Sequence, residues 1–158
     1  ATNYHSHNDI RFMGFLGDDN TFGTSDWEKK ITEPLRDRIG ISYGNDQYHG
    51  VNLCTSAVLS VEIIEVLGYA CPPKQIHLFL DNFWMAVGMG INRLSFVGDV
   101  SIEHHHHTIG KSPFDDIYQE VNSEEMWQHD RDAWTEYCKN DLASDIAKLK
   151  EYLEVHDN

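Results

Sequence analysis

Several hallmarks of specialised proteins are scarce or missing from these 158 residues. No apolar run approaches the roughly 20 residues that a membrane-spanning helix needs, and no signal peptide is visible. The three cysteines, Cys54, Cys71 and Cys138, contain no CxxC pair. This spacing excludes a CxxC zinc or redox motif, and we expect reduced thiols in a cytoplasmic protein.

Basic residues are also few, because 12 Lys and Arg stand against 26 Asp and Glu, which leaves a formal charge of -14. Such a chain is poorly suited to bind nucleic acid through bulk electrostatics, although a divalent cation can still bridge it to a phosphate ligand. Apolar residues make up 41% of the chain, with 4 Trp, 7 Tyr and 7 Phe. This content excludes a disordered acidic tail and suffices for the core of one domain.

Strand-like and helix-like stretches alternate along the chain. The predicted strands cover 9–16, 39–43, 94–97 and 100–103, of which the last two form a strand pair or one bent strand. The predicted helices cover 56–67, 80–88 and 123–137, and a last helix carries the apolar stripe Leu142, Ile146, Leu149 and Leu153. Such alternation predicts an α/β sheet with helices on its faces, and ligands beyond the carboxyl ends of its strands.

Local signals predict where several helices begin and end. Ser25 and Glu28 have the spacing of a capping box at the start of a helix, and Pro34 should shorten or kink that same helix. Gly68 is suited to end a helix in the left-handed conformation, and Ser123 is suited to cap the next long one.

The first candidate site is the turn Gly17-Asp18-Asp19-Asn20, which follows the first predicted strand. Adjacent carboxylates repel each other, so a strand end with two of them suits a divalent cation that also accepts phosphate oxygens. The alternative is an ordinary solvated turn, because Gly, Asp and Asn are common turn residues.

The second candidate site is Asp81-Asn82-Phe83-Trp84, at the start of a predicted helix. Asp81 suits a general base held on a rigid element, and the flanking aromatic rings suit stacking on a sugar or a base. The alternatives are a simple charge interaction with the helix N-terminus for Asp81 and core packing for the rings.

The third candidate site is the histidine run His104 to His107, which follows a predicted strand. Alternate residues of a strand share a face, so His104 and His106 can point together, and neutral imidazole is a ligand for Mn or Zn. The alternatives are a solvated loop and a purification tag, although the run is internal. Lys111, just beyond it, is a lone candidate for a phosphate contact.

Taken in order, these motifs resemble those of family-two-like GT-A glycosyltransferases, and more narrowly those of a bacterial and phage subgroup. The matching segments are 15–19, 43–46, 68–73, 80–84 and 97–104. The resemblance implies a partial GT-A mixed sheet in residues 1–122, with the metal and acceptor side of the catalytic domain. Residues 123–158 would form a C-terminal helical segment packed on the same domain.

The resemblance also implies roles for individual residues. Asp18 and Asp19 match the motif that holds Mn²⁺ or Mg²⁺ against a sugar-nucleotide diphosphate, although which carboxylate reaches the metal is open. The metal shell would be completed by His104 or His106. Asp81 matches the general base that takes the proton from the acceptor hydroxyl in inverting members. The substrate-binding candidates are Asp46, Asn82, Trp84 and Lys111.

Members of the family carry a nucleotide-binding half before the acidic motif, whereas only residues 1–16 precede Gly17 here. The expected partners are therefore a nucleotide-diphosphate sugar, a carbohydrate or other hydroxyl acceptor, and a missing N-terminal half, with a homo-oligomer left open. Two other functions stay open. One is a non-catalytic binding or assembly module with part of the GT-A fold, and the other is a metal-dependent hydrolase.

Overall fold

A mixed sheet of five strands forms the centre of the protein. The structure is a computed structural model, and it describes residues 10–17, 19–105 and 123–156. The strands are β1 Phe12–Gly14, β2 Asn20–Phe22, β3 Ile41–Asn45, β4 Val58–Ser60 and β5 Leu94–His104. Their order across the sheet is β1-β4-β3-β5-β2. The β3 and β5 strands run parallel, and the other pairs are antiparallel. The predicted mixed α/β sheet is confirmed.

Five helices accompany the sheet in the described residues. They are α1 Trp27–Thr32, α2 Val61–Leu67, α3 Leu80–Gly90, α4 Glu124–Asn140 and α5 Leu142–His156. Short 3-10 turns cover Glu33–Leu35 and Gly50–Asn52. Within the described ranges, no helix is both long enough and apolar enough to cross a membrane.

Three of the four predicted helix ends are confirmed. The α1 helix stops at Thr32, and Pro34 lies in the 3-10 turn that follows. Gly68 has φ 81°, and its N–H donates to the Ile64 carbonyl at 2.8 Å. Ser123 Oγ accepts a hydrogen bond from the Met126 N–H at 3.3 Å. The capping box is wrong, because α1 begins after Asp26, whose φ is 54° and whose side chain makes no capping bond.

The prediction of a helix over 56–67 is wrong in its first half, where the chain forms the strand β4. Val58 and Leu59 are buried and pair with β1 on one side and β3 on the other. A short, continuously apolar run has no periodicity that separates a strand from a helix, so these partners decide its conformation. The two segments predicted at 94–97 and 100–103 are one strand, β5, with a register irregularity against β3.

The sheet separates two apolar clusters. The larger lies against α2 to α5, and its members include Ile41, Leu59, Phe83, Tyr137 and Leu149. The smaller lies under α1 and contains Ile31, Leu35, Val58, Val100 and Ile102. Because α4 and α5 contribute to the larger cluster, residues 123–156 pack on the same body as the sheet.

Candidate functional site

Two backbone hydrogen bonds join three of the predicted site segments at the carboxyl ends of the parallel strands. Asp46 directly follows β3, and His104 is the last residue of β5. The His104 N–H donates to the Asp46 carbonyl at 3.2 Å, and the His105 N–H donates to the Asp19 carbonyl at 3.0 Å. The acidic turn therefore lies beside the ends of both strands, where a sheet of this kind binds ligands.

The side chains of Asp19 and His104 are in direct contact. Asp19 Oδ2 lies 2.9 Å from His104 Nε2, and both side chains are only partly exposed. The turn that presents Asp19 is braced by Asn20, whose Oδ1 accepts from the Gly17 N–H at 2.7 Å. A carboxylate oxygen and an imidazole nitrogen are thus placed side by side, as ligands of one ion would be.

Asp46 is almost completely buried, with 1% of its surface exposed. Its Oδ1 accepts three backbone N–H bonds, from Tyr48 at 3.0 Å and from His49 and Gly50 at 2.8 Å each. Its Oδ2 is buried and has no hydrogen-bond partner in the described part of the chain. A buried carboxylate oxygen without a partner is unfavourable for folding alone, and such atoms concentrate at functional sites.

Asp81, in the first turn of α3, has an electrostatic environment that suits proton transfer. Burial, and then the charge of Asp46, raise the pKa of Asp81 to about 7. Burial, and then the charge of Asp81, also raise the pKa of the Cys54 thiol. Asp46, Cys54 and Asp81 therefore form one interacting group, in which Asp81 exchanges its proton near neutral pH.

Three non-glycine residues around this group have left-handed backbone conformations. Gln47, with φ 62°, follows Asp46, and Phe79, with φ 64°, lies two residues before Asp81. Ser56 has φ 51°, and its Oγ lies 3.3 Å from Asn20 Oδ1 in the acidic turn. Side chains destabilise this conformation, and strained residues of this kind gather at ligand and active sites.

Asp130 of α4 holds the segment that leads into α3, and no sequence signal distinguishes it from the surface acids of the same helix. It is completely buried, and its carboxylate accepts the N–H groups of Ile76 at 3.1 Å, His77 at 2.8 Å and Leu78 at 2.6 Å. Burial alone would raise the pKa of Asp130, but these bonds and the one to His129 lower it below its ordinary value. Asp130 thereby helps to position the start of α3 and Asp81.

The remaining predicted residues are dispersed. Trp84 is buried in the core, stacks on Phe15 with ring centroids 4.6 Å apart, and donates its indole N–H to the Ala70 carbonyl at 2.9 Å. Its contact with a substrate stays a prediction, as does that of the exposed Asn82. The residues that lie outside the described ranges are Asp18, His106 and Lys111.

Among the described residues, no group of three or more His, Cys, Asp or Glu is arranged to hold a metal ion. Two of the four predicted metal ligands, Asp18 and His106, are outside that set. No family model, curated protein or solved structure matches the chain.

Proposed function

We propose that this chain takes part in the metal-dependent transfer of a sugar from a nucleotide diphosphate to an acceptor hydroxyl, as GT-A glycosyltransferases do. The observation that carries this proposal is the contact of Asp19 with His104, whose N–H bonds to the Asp46 carbonyl. Asp46 in turn acts electrostatically on Asp81, and these residues are far apart in the sequence. An ordinary solvated turn at Asp19 would not require a histidine partner or a neighbouring pair of interacting carboxylates. The same four residues carry the motifs that resemble this family.

Asp81 supplies the proton acceptor in this proposal. It takes the proton from the acceptor hydroxyl while that oxygen forms a bond to the anomeric carbon of the donor sugar. The bond between that carbon and the diphosphate oxygen breaks, and the diphosphate leaves with the bonding electrons. A pKa of about 7 allows Asp81 to be ionised at neutral pH and still to bind the proton that it removes.

Asp19 and His104 are the described residues that would hold the metal. Their 2.9 Å contact and mixed oxygen and nitrogen donors fit Mn²⁺ better than Mg²⁺, which prefers oxygen ligands alone. A bound Mn²⁺ ion would offset the negative charge that develops on the departing diphosphate. Asp46 keeps the neighbouring turn in place through its three backbone bonds and keeps a negative charge beside Asp81.

Metal and nucleotide binding together test this proposal. We expect the chain to remove the electron paramagnetic resonance signal of free Mn²⁺. When it is joined to the nucleotide-binding half that the resemblance implies, calorimetry should detect binding of UDP, GDP or ADP only in the presence of Mn²⁺. Asp19→Asn combined with His104→Ala should weaken Mn²⁺ binding about 100-fold or more, because the loss of each ligand costs at least ~1.4 kcal/mol, which is tenfold.

The matched control is Asp132→Asn, which removes one carboxylate from the exposed surface of α4 and should leave Mn²⁺ binding unchanged. Absence of Mn²⁺ binding to the folded chain would contradict the proposal and favour a non-catalytic module. So would the absence of Mn²⁺-dependent binding of any of the three nucleotides to the chain joined to its nucleotide-binding half. Release of sugar or phosphate without any acceptor would favour a hydrolase instead.

A further inference from the structure

A second cleft, of about 280 Å³, lies at the end of the sheet opposite to Asp46 and His104. It opens where β1 begins, where β4 ends at Ser60, and where the chain enters β3 through 36–40. Because β3 and β5 run parallel, their amino ends are on this side and their site-bearing carboxyl ends are on the other. This cleft is therefore separate from the candidate catalytic site.

Three of the chain's five arginines, Arg11, Arg36 and Arg38, line this cleft. Arg11 Nη2 donates to the Arg36 carbonyl at 2.7 Å, and its guanidinium lies over the Phe12 ring at 5.3 Å. Arg38 Nη2 donates to the Asn92 carbonyl at 3.2 Å. Each of these bonds uses one of the five N–H donors of a guanidinium group, so the planar groups are oriented while other donors remain available.

The local charge of the cleft is opposite to that of the whole chain. The chain carries a formal charge of -14, whereas the cleft has three arginines against two acids, Asp37 and Glu62. In the described part of the chain, neither of these acids forms an ion pair with an arginine of the cleft. Of the three cleft arginines, Arg36 is paired outside the lining, with Glu33 at 3.0 Å. A concentration of guanidinium groups in an otherwise acidic protein indicates a site for an anion.

The cleft also has an apolar side. Phe12 and Ile39 contribute partly buried side chains to its lining, and Leu35 lies beneath them. Its volume is near the lower limit of small-molecule pockets, which is about 300 Å³, and it exceeds what one inorganic phosphate needs. An occupant that uses both parts of the lining has an anionic group and an organic body.

We propose that this cleft binds a phosphorylated small molecule, with its phosphate held by Arg11, Arg36 and Arg38 and its organic part against Phe12 and Ile39. Arginine suits phosphate because its planar N–H groups form two parallel charge-assisted hydrogen bonds to phosphate oxygens. Ser60 Oγ, which already accepts from the Gly40 N–H at 3.0 Å, still has its own proton to donate. The inference does not depend on glycosyl transfer.

Calorimetry with phenyl phosphate, in EDTA so that metal sites do not contribute, tests this inference. Phenyl phosphate should bind the wild-type chain saturably, and more tightly than inorganic phosphate, phenol or benzoate does. Arg36→Ala combined with Arg38→Ala should weaken binding at least about 10-fold, because it removes two guanidinium groups that donate charge-assisted hydrogen bonds to the phosphate. The matched control is Arg131→Ala with Lys139→Ala, which removes the same charge from the exposed surface of α4.

The Arg36→Lys and Arg38→Lys double variant keeps the charge but loses the planar donors, and it should bind with intermediate affinity. Circular dichroism and thermal unfolding establish whether each variant is folded. If the alanine variant is not folded, the affinity of the lysine variant for phenyl phosphate tests the role of the arginines. The inference is overturned if phenyl phosphate does not bind the wild-type chain. It is also overturned if the arginine variants bind it normally, or if benzoate binds equally well.

Discussion

Asp81 shows how neighbouring residues convert a common helix-opening acid into a candidate base. An Asp in the first turn of a helix is ordinarily ionised and stabilised by the helix dipole. Here burial and the charge of Asp46 act in the opposite direction and raise the pKa of Asp81 to about 7. The uncharged form is therefore favoured in the folded protein, so ionised Asp81 is a source of instability at neutral pH.

We expect Asp81→Asn to stabilise the fold above pH 7 while it abolishes transfer. In the unfolded chain Asp81 has a pKa of about 4, so between pH ~4 and ~7 only the folded state holds this proton. The stability that Asp81 contributes is thus fully present below pH ~4 and is lost as the pH rises through about 7. Because Asn does not ionise, the variant should gain on the order of 2 kcal/mol at pH 8.

Urea unfolding at pH 5 and pH 8 measures this difference, with Asp132→Asn as the exposed control. A variant whose stability falls with pH as steeply as that of the wild type would show that Asp81 does not cause the loss.

For any transfer or donor-hydrolysis reaction of the wild type, kcat/KM should rise about 10-fold per pH unit below pH ~7 and level off above it.

At the scale of elements, α4 and α3 are joined by Asp130. Its carboxylate ties three successive N–H groups of 76–78 to α4, and the chain then enters α3 through the strained Phe79. The position of Asp81 thus depends on α4, a helix that comes much later in the sequence. The helical segment 124–140 is therefore part of the support of the candidate site.

Asp130→Ala should lower the free energy of unfolding by about 3 kcal/mol or more, because it removes a completely buried carboxylate that accepts three N–H hydrogen bonds. Asp130→Asn keeps a carbonyl oxygen and should cost less. The pKa of Asp130 is lowered by its hydrogen bonds, so its contribution is present above the unfolded pKa and is lost as the pH falls below it. Chemical denaturation at pH 7 and at pH 3 measures both effects.

The control for this prediction is Asp132→Ala, since Asp132 is exposed on the same helix and has the same intrinsic helix propensity as Asp130. If Asp130→Ala unfolds at the same denaturant concentration as Asp132→Ala, the three hydrogen bonds do not hold the segment before α3.

At the scale of the whole molecule, the sheet and the C-terminal helices share one core. Leu149 of α5 is 1% exposed and lies in the same cluster as Ile41 of β3 and Phe83 of α3. A close approach of α3 to α5 also requires glycine, because a Cβ on Gly90 would collide with the Ile146 side chain. Because they share this core, we expect the sheet and the C-terminal helices to unfold as a single cooperative unit.

Leu149→Ala should therefore destabilise the whole molecule by about 2–5 kcal/mol, the usual effect of a cavity in a packed core. Tryptophan fluorescence in a variant that keeps Trp84 alone of the four tryptophans, and far-ultraviolet circular dichroism, should report the same denaturation midpoint. Val155→Ala on the exposed side of α5, where Val155 is 70% exposed, should have little effect. Two separate transitions would instead mean that the C-terminal helices unfold independently.

What the sequence predicted correctly was mainly local. Pro34, Gly68 and Ser123 act on hydrogen bonds within about four residues, so their effects are readable without any partner. The same reasoning failed at 56–67, where β1 and β3 impose a strand on Val58 and Leu59. It also missed β2, since three residues are too few to show a period.

The candidate site shows the same division between local and distant interactions. By itself, the sequence determined which residue types are available, with acids at Asp19, Asp46 and Asp81 and an imidazole at His104, and their resemblance to family motifs. Only the tertiary structure decided that Asp19 meets His104, that Asp46 acts on Asp81, and that Asp130 supports α3. The physical reason is that burial and electrostatic interaction depend on distance in space, which pairing of distant segments sets.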